Sequence, residues 1–361
     1  MATKGRATIA DVARRAGVST ATAGRVLGGY GYTSGAKKDQ VMKAAQALGY
    51  RPNALARSLI TGKTRTIGVV AGDIQNPFYA SVLRGIADVA EAEGFGLLIT
   101  NSDEDLGREV RAVDLLMRKQ VDGLIVSPCD TRRAQHLRAC GLPLVLIDRT
   151  VKGLNVDRVG TDNIAAAEQA VSLLIAAGHR RIGVVAELVA EEGGGLASFL
   201  ARAWAGEPMD TEPLYPSWQR LLGHVRAHRQ AGLPVDPALV RRAGRYSAEA
   251  ALAVAHDLLA GPERPTAVFA TDATMSDGTM RAISQLGLSV PGDLSLFCFD
   301  DLDWMAFLPP GISTIAQPRH AMGEAAARML LERIEGTDMP PRMLLLPAET
   351  IRRGSVAPPA R

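Results

Sequence analysis

The sequence predicts an all-α helix-turn-helix head followed by a larger α/β body built from doubly wound parallel sheets. Residues 8–28 hold two short amphipathic segments separated by a glycine, which is a helix-turn-helix pattern. From Thr66 onward, short apolar runs alternate with helical segments, which is typical of parallel α/β sheets. The net charge changes sign at the same boundary. Residues 1–66 carry a net charge of +10, and the rest of the chain carries −7. A basic head on an acidic body indicates a phosphate-binding module joined to a different one.

The stretch over residues 8–28 predicts two helices and the turn between them. Thr8 can cap the first helix together with Asp11, and apolar residues recur at i, i+3, i+4 and i+7. Gly17 ends this helix, and Ser19 can cap the next one. The second helix of such a motif enters the major groove of DNA. Two amphipathic helices around a glycine also occur in proteins that bind no DNA, so the basic charge of the head is the observation that favours DNA.

A third helix and a linker complete the predicted head. Ser34 is placed to cap a helix that runs to about Leu48 and shares a small core with the first two. Pro52 suits the first position of a further helix over residues 53–59, before a polar linker that begins at Gly62. A helix of two turns is marginal in water, so we expect it to form only when a partner supports it.

Seven apolar runs predict the buried strands of the body. They are Ile67–Val70, Leu97–Thr100, Leu124–Val126, Leu144–Ile147, Ile182–Val185, Ala267–Ala270 and Leu294–Phe299. The helical segments between them include Tyr79–Ala92, Arg108–Lys119, Ala165–Ala177, Ala248–Leu259 and Met275–Leu286. Polar clusters follow the strands at Asp73–Asn76, Asn101–Asp103, Asp148-Arg149, Asp162-Asn163, Thr271-Asp272 and Asp300-Asp301. One such Asp alone can be a helix cap, but their repetition at strand ends predicts a ligand crevice.

Residues 187–216 interrupt the alternation of strands and helices. The segment is rich in glycine and acidic residues and holds a short helical pattern over Leu196–Trp204, so we expect an exposed insertion. Its three consecutive glycines are not a phosphate loop, because no strand, Lys or Ser/Thr stands at the required spacing. A lid, a partner surface and a passive loop are all consistent with this composition.

Several function classes are disfavoured by the sequence. No apolar run reaches the 18 or more residues that a membrane span needs, and no secretory signal precedes the head, so we expect a cytoplasmic protein. Cys129, Cys140 and Cys298 stand at unrelated spacings, and we expect reduced thiols with no disulfide, metal or other cofactor. No dinucleotide fingerprint follows the first strand and no nucleophile elbow is present, so an enzyme is not expected. The basic head and the absent signal argue against a solute receptor.

Eleven motifs along the chain show a resemblance to one family. They are TIADVARRAGVS, LGYRPNALARSL, TRTIGVV, DIQNPFYASVLRGI, VDGLIVSP, LPLVLIDR, GTDN, GHRRIGVV, PTAVFATD, VPGDLSLFCFDD and TIAQP. In these blocks, and in their order, the chain resembles the LacI/GalR family of bacterial transcription regulators from about Ala7 to Pro358. The resemblance implies a homodimer of helix-turn-helix heads on a two-lobed, periplasmic-binding-protein-like body that holds a small-molecule effector.

The resemblance also implies domain boundaries. Residues 1–49 form the DNA-binding head and residues 50–65 form a hinge helix and linker. Residues 66–161 with about 317–346 form the first effector-binding lobe, and residues 162–316 with about 347–356 form the second, which contains the 187–216 insertion. Three crossovers are then expected near Thr161, Gln317 and Leu346. The end of the chain carries no apolar heptads, so a dimer is expected rather than a coiled-coil tetramer.

By position in the family, the operator-reading residues are Ser19, Thr20, Ala21, Thr22 and Arg25 on the recognition helix and Asn53, Ala56 and Leu59 on the hinge helix. The resemblance places Thr20, Ala21 and Arg25 against bases, and Ser19 and Thr22 against phosphates. Arg25 is the strongest candidate, because a bidentate Arg–guanine contact contributes about 1–3 kcal/mol of discrimination. Leu59 corresponds to a leucine that wedges into the minor groove. The chain departs from the family pattern at Ala23-Gly24, where Val-Ser is usual.

The effector-binding positions implied by the family are Phe78, Tyr79, Asp148, Arg149, Arg220, Tyr246, Thr271, Asp272, Asp300 and Trp304. Asp300 and Arg220 are the pair expected to orient a sugar, because a carboxylate accepts hydroxyl protons and a guanidinium donates a planar fork. Tyr246 or Trp304 is expected to stack on the sugar's apolar face. The predicted function is an effector-controlled repressor of palindromic operator DNA, and a purine or nucleoside effector is the alternative to a sugar.

Overall fold

The computed structural model describes residues 7–28, 32–50, 62–189, 192 and 194–359. The chain divides into two compact units, which are described separately below. The head comprises residues 1–65 together with 120–122, and the body comprises residues 66–119 and 123–361. The predicted hinge helix over residues 53–59, with Asn53, Ala56 and Leu59, lies outside the described residues.

Within its described residues, the head contains three helices around one small core. They are α1 (Ile9–Ala16), α2 (Thr20–Gly28) and α3 (Gly35–Ala47). Thr8 and Asp11 form a reciprocal capping box at the start of α1, and Gly17 ends that helix with a φ of 65°, as the sequence predicts. Ser34 stands at the start of α3, but its side chain makes no capping hydrogen bond, so that part of the prediction is wrong. The core residues are Val12, Ala13, Ala23, Val41, Ala44 and Ala45.

The body alternates strands and helices along the chain. Its strands are β1 (Thr66–Ala71), β2 (Gly96–Asn101), β3 (Gly123–Val126), β4 (Leu144–Ile147), β5 (Asp157–Thr161), β6 (Ile182–Ala186), β7 (Val240–Arg242), β8 (Ala267–Ala270), β9 (Ser295–Phe299), β10 (Ser313–Ala316), β11 (Met343–Leu346) and β12 (Glu349–Ile351). Its helices are α4 (Pro77–Ala92), α5 (Leu106–Arg118), α6 (Gln135–Ala139), α7 (Asn163–Ala176), α8 (Leu196–Ala205), α9 (Pro216–Gln230), α10 (Ala248–Ala260), α11 (Ala273–Gln285), α12 (Asp303–Phe307) and α13 (Arg319–Ile334). None of these described helices is long and apolar enough to cross a membrane.

The strands form two six-stranded sheets. The first sheet has the order β11-β5-β4-β3-β1-β2, and every neighbouring pair in it is parallel. The second has the order β12-β10-β9-β8-β6-β7 and is parallel except where β12 runs antiparallel to β10. The chain passes from one sheet to the other after β5, after β10 and after β11. The carboxyl ends of strands from both sheets can therefore contribute to one site.

The prediction missed several elements of the body. Five strands were not predicted: β5, β7, β10, β11 and β12. Two of these, β7 and β12, have only three residues each, and β5 contains both Asp157 and Arg158, so none of the three has a long apolar run. The helices α9 and α13 were also missed. Small residues such as Gly323 and Ala326 supply part of the buried face of α13, so its apolar periodicity is weak.

The expectation of an exposed insertion at residues 187–216 is wrong for the helix within this segment. The helix α8 lies within this segment and buries Phe199 and Leu200. The Phe199 ring meets the Trp218 indole edge-to-face, with ring centroids 4.7 Å apart. The acidic and glycine-rich composition around α8 concealed an apolar face that packs on the second sheet. The buried face of this helix is therefore part of the core of the body, whereas residues 204–208 are exposed.

Helices α4 and α13 cover the first sheet and touch at two glycines. A Cβ atom added at Gly85 would lie closer than 3.0 Å to the His320 carbonyl oxygen, and one added at Gly323 would meet the Val82 carbonyl oxygen in the same way. Real Cβ atoms essentially never approach another atom so closely. The two helix backbones can therefore pack at this distance only because both positions are glycine.

We expect Gly85→Ala to lower the free energy of unfolding by about 1–3 kcal/mol, because the added methyl group would push two backbones apart. Urea denaturation followed by circular dichroism measures the change. Gly261→Ala is the matched control, since nothing lies within 4 Å of its added Cβ atom and its φ of −80° suits alanine. Equal stability of the two variants would contradict the assignment of Gly85 as a packing glycine.

Candidate functional site

The start of α2 presents a polar, exposed face. The Ser19 Oγ accepts the Thr22 backbone N–H at 3.2 Å and lies 2.9 Å from the Thr22 hydroxyl, which fixes the first turn. Thr20, Ala21 and Arg25 are exposed, and the Arg25 Nε donates to the Ala21 carbonyl at 3.4 Å. The side chains expected to face bases thus share an accessible surface of this helix.

The opposite face of α2 belongs to the core of the head. Ala23 is fully buried against residues such as Val12 and Val41. The helix continues without interruption through Gly24 to Gly28, even though glycine within a helix costs about 1 kcal/mol relative to alanine. The Ala23-Gly24 departure therefore leaves the helix intact in this structure.

The surface of the head is strongly basic. Its exposed cations within the described residues include Arg14, Arg15, Arg25, Lys37, Lys38 and Lys43. The Asp11 carboxylate is engaged in the capping box with Thr8, and these hydrogen bonds lower its pKa. Such an excess of positive charge attracts the phosphates of a nucleic acid independently of sequence.

In the body, a cavity of about 30 Å³ lies where strand ends of both sheets face each other. It is lined by Asn76, Phe78, Tyr79, Glu104, Asp148, Arg149, Pro216, Arg220, Tyr246, Asp272, Asp300 and Gln317. Eight of the ten residues that the sequence proposes for the effector are among them. We call this cavity and its lining residues the cleft.

Two proposed residues do not line the cleft. Thr271 is buried behind it, where its carbonyl accepts from Arg220 Nη1 at 2.6 Å and its hydroxyl donates to the Val185 carbonyl at 3.3 Å. Trp304 packs against the hydrophobic core of the second sheet. This geometry gives no support to the expectation that Trp304 stacks on a ligand, because the indole instead packs against the core of the second sheet.

An ion pair dominates the first-sheet side of the cleft. Arg149 is only 4% exposed and forms a bidentate pair with Glu104, with Nη2 2.9 Å from Oε1. Its guanidinium also lies near the rings of Tyr215 and Tyr246, at 5.5 and 5.7 Å from their centroids. Burial raises the pKa of the neighbouring Asp148 carboxyl to about 6, although the charge of Arg149 opposes this shift.

The second-sheet side holds a carboxylate and a guanidinium that are not paired with each other. The Asp300 carboxylate accepts from Gln317 Nε2 at 2.7 Å and from the Ala273 backbone N–H at 3.3 Å. The Arg220 Nε donates to Asn163 Oδ1 at 2.9 Å, and its guanidinium lies 3.7 Å from the centroid of the Phe299 ring. Neither charge has a direct ion-pair partner among the described residues, so both are available to a polar ligand.

One side of the cleft is bridged by residues 206–215, which we call the bridging segment. It joins the second-sheet part of the body to loops of the first. Two ion pairs make this connection, Lys152–Asp210 at 2.7 Å and Arg158–Glu212 at 2.6 Å. Three hydrogen bonds accompany them: the Thr131 hydroxyl donates to the Pro213 carbonyl at 2.5 Å, the Thr150 hydroxyl to the Glu212 carbonyl, and the Tyr215 hydroxyl to the Cys129 carbonyl. The cleft volume is far below the 300–1,000 Å³ of usual small-molecule sites. A sugar-sized ligand can therefore enter only if the two sides move apart.

The sequence did not identify three polar residues of the cleft. Glu104 follows directly after the Asn101–Asp103 cluster, so extending that cluster by one residue would have included it. Asn76 belongs to a cluster that was noted but not assigned to the effector, and its side chain caps α4. Gln317 lies at the second passage between the sheets, which no strand-end pattern marks.

The fold and the site together define a class of protein. A basic helix-turn-helix head is joined in one chain to a body of two parallel sheets with a polar cleft between their strand ends. This combination is that of a DNA-binding regulator with a small-molecule site.

Comparison with known proteins identifies the family. Residues 8–53 match the model of bacterial regulatory proteins of the lacI family, and residues 171–356 match a periplasmic binding protein-like domain. The chain is 33% identical over 351 residues to the ribose operon repressor of Haemophilus influenzae, which covers 97% of this chain and 98% of that protein. It is also 33% identical over 353 residues to the transcriptional repressor CytR of Escherichia coli, which covers 97% and 96%.

A solved structure agrees with these matches. The complex of the transcriptional regulator CelR with cellobiose has a TM-score of 0.68 and 28% identity, covering 97% of this chain and all of that one. The chain belongs to the lacI family of bacterial regulatory proteins and is a DNA-binding transcriptional regulator.

Proposed function

We propose that this protein is a repressor that binds a palindromic operator as a homodimer and changes its operator affinity when a sugar occupies the cleft. The observation that carries this proposal is the pair of charges on Asp300 and Arg220, which line one cleft without neutralising each other. Relatives support it, since one is a ribose operon repressor and another is known in complex with cellobiose. The site of action is the bacterial cytoplasm, where operator DNA lies.

On the DNA side, we assign base contacts to Thr20, Ala21 and Arg25, and phosphate contacts to Ser19 and Thr22. The exposure of this face of α2 supports the assignment. The family pattern adds minor-groove contacts from the hinge helix, with Asn53, Ala56 and Leu59 as the residues proposed.

On the effector side, the Asp300 carboxylate would accept hydroxyl protons and the Arg220 guanidinium would donate to ring or hydroxyl oxygens. Tyr246 would cover the apolar face of the sugar. The remaining proposed contacts come from Phe78, Tyr79, Asp148, Arg149 and Asp272, and Thr271 supports Arg220 from behind. The proposed function is binding without turnover, in keeping with relatives that are transcriptional repressors.

The proposed control of operator affinity depends on the division of the body into two lobes. One lobe comprises residues 66–161 with 317–346, and the other comprises residues 162–316 with 347–356. A ligand that contacts both lobes stabilises one angle between them. We propose that this angle sets the distance between the two hinge helices of a dimer, and with it the operator affinity.

The experiment that tests the DNA-binding assignment uses a palindromic duplex selected from a random library by the wild-type protein. In fluorescence anisotropy, Arg25→Ala is expected to reduce the preference for this duplex over a scrambled one by about 5- to 150-fold. The reason is the loss of about 1–3 kcal/mol of base discrimination from one Arg–guanine contact.

Lys43→Ala is the matched control, because Lys43 is exposed on α3 of the same basic head. It is expected to weaken binding to both duplexes alike, as loss of a general attraction to phosphates does. Unchanged selectivity of Arg25→Ala would refute the assignment of Arg25 as a base reader.

A further inference from the structure

Two carboxylates, Glu187 and Asp272, follow neighbouring strands of the second sheet. In the parallel pair β6 and β8, Val185 lies opposite Ala270, and each carboxylate comes two residues later. Neighbouring strands are about 4.8 Å apart, so the two side chains stand at adjacent strand ends. Glu187 is 0% exposed, and neither of its carboxylate oxygens has a hydrogen-bond partner among the described residues.

Asp272 satisfies only one of its two oxygens. Its Oδ1 caps α11 by accepting the backbone N–H groups of Thr274 at 2.8 Å and Met275 at 2.9 Å. Its Oδ2 is buried without a partner, and Asp272 lines the cleft. Beside the cleft and at its lining, three buried carboxylate oxygens thus lack donors within the described residues, and each unpaired polar atom destabilises the folded protein.

The charges around the cleft do not compensate these carboxylates. Five carboxylates belong to this region, Glu104, Asp148, Glu187, Asp272 and Asp300, and two guanidinium groups, Arg149 and Arg220. The Arg149 guanidinium is paired with the Glu104 carboxylate. The Arg220 guanidinium donates to the neutral oxygens of Asn163 and Thr271. The cleft therefore has an excess of negative charge.

The pKa values of two groups beside Glu187 are raised in agreement with this excess of negative charge. Burial, and next the Glu187 carboxylate, raise the pKa of Asp272. The same two causes, in the same order, raise the pKa of the Tyr246 hydroxyl, which also lines the cleft. The register of β6 and β8 places Glu187 beside these lining residues, and both pKa directions agree with an excess of negative charge there.

We infer that the effector carries a primary ammonium group that binds between Glu187 and Asp272, so that the ligand class is an amino sugar rather than a neutral sugar. An ammonium has three N–H donors and no acceptor, which matches the three unpaired oxygens. A neutral hydroxyl would donate one proton and leave the charge uncompensated. In the described residues, no group of three or more His, Cys, Asp or Glu is arranged to hold a metal ion, which favours an organic cation. This inference rests on the proposed function of the cleft as the effector site.

The test compares D-glucosamine, D-galactosamine and D-mannosamine with their parent hexoses, at a pH at which the amines are protonated. Thermal denaturation of the full chain screens the six sugars, and calorimetric titration measures the affinity of any that bind. At least one amino sugar is expected to raise the melting temperature more than its parent does. Glu187→Gln is expected to weaken binding of that amino sugar at least about tenfold and to leave the parent unaffected.

Two further measurements keep the result interpretable. Without ligand, Glu187→Gln is expected to melt no lower than wild type, because Glu187 makes no hydrogen bond through its side chain. Glu91→Gln, exposed on α4, is the matched control and should retain the preference for the amino sugar. Operator binding is measured in parallel with every sugar.

The inference is overturned if no amino sugar binds better than its parent, or if Glu187→Gln keeps the full preference. A neutral hexose that binds at least as tightly as its amino sugar and alters operator affinity would overturn the ammonium site while leaving the proposed function intact. If no sugar of either kind alters operator affinity, the proposed sugar effector fails as well.

Discussion

Replacing Arg149 with methionine is expected to lower the free energy of unfolding by about 3–5 kcal/mol. The guanidinium is almost fully buried and holds the Glu104 carboxylate in a bidentate pair, with the Asp148 carboxylate 3.5 Å from its Nε. Methionine has a similar apolar stem but no charge, so both carboxylates would remain in a cleft that is already rich in negative charge. Urea denaturation at pH 7 measures the loss.

A double variant distinguishes the effect of uncompensated charge on stability from the effect of lost packing. If the loss comes from uncompensated charge, adding Glu104→Gln to Arg149→Met should restore a large part of the stability. Arg108→Met removes an exposed ion pair with Asp103 and should cost less than about 1 kcal/mol. Equal losses for Arg108→Met and Arg149→Met would show that the buried pair has no special role.

Asp157→Asn is the other substitution with a large expected effect, about 3 kcal/mol of stability. The Asp157 side chain is fully buried and accepts from the side chains of Arg333 and Arg342 at distances from 2.9 to 3.0 Å. It also accepts the Arg342 backbone N–H at 2.7 Å. It thereby joins β5, α13 and the chain that enters β11. Asparagine would leave the Arg333 guanidinium without its ion-pair partner and the Arg342 guanidinium with Glu332 alone.

The same carboxylate gives a pH dependence with a definite sign. Burial acts to raise the pKa of Asp157, but the hydrogen bonds from Arg333 and Arg342 outweigh it and lower the pKa to about 2. The usual value in an unfolded chain is about 3.9. The stabilisation is therefore complete above about pH 4 and is lost as the pH falls towards 2. Melting temperatures between pH 4 and pH 2 should fall more steeply for wild type than for Asp157→Asn.

Asp114→Asn is the matched control for this series. Asp114 is exposed and pairs with Arg118 one turn along α5, an arrangement that contributes about 0.3–0.5 kcal/mol. Its pH profile should follow that of wild type. Parallel profiles for wild type and Asp157→Asn would contradict the role assigned to the buried carboxylate.

Local features of the chain were predictable because they depend on neighbouring residues. The capping box of Thr8 and Asp11 and the left-handed Gly17 involve side chains within one helical turn. The buried strands of the central sheets are continuous apolar runs, so β4 and β8 were predicted with their exact bounds. The short or polar strands β5, β7 and β12 were missed, because their burial depends on partners far away in the sequence.

The cleft shows where prediction from the sequence ends. Family positions placed Asp300 and Arg220 among the cleft residues, but they placed Trp304 there as well, although its indole packs in the core of the second sheet. The apolar face of α8 was concealed in a segment of acidic composition. A tryptophan or a leucine can face either a ligand or a hydrophobic core. The residue type alone therefore does not show which of the two it contacts, and only the packing in the folded structure does.

The sequence by itself determined the order of the domains, the basic helix-turn-helix head and the family, because these depend on local pattern and on the order of motifs. Only the tertiary structure decided which charges are compensated. Arg149 pairs with Glu104, 45 positions away, and Asp157 pairs with Arg333, 176 positions away. The buried Glu187 carboxylate, in contrast, has no partner in the part of the chain that the structure describes. Electrostatic compensation depends on distances of a few ångströms between segments that are remote in the chain, and the fold alone sets those distances.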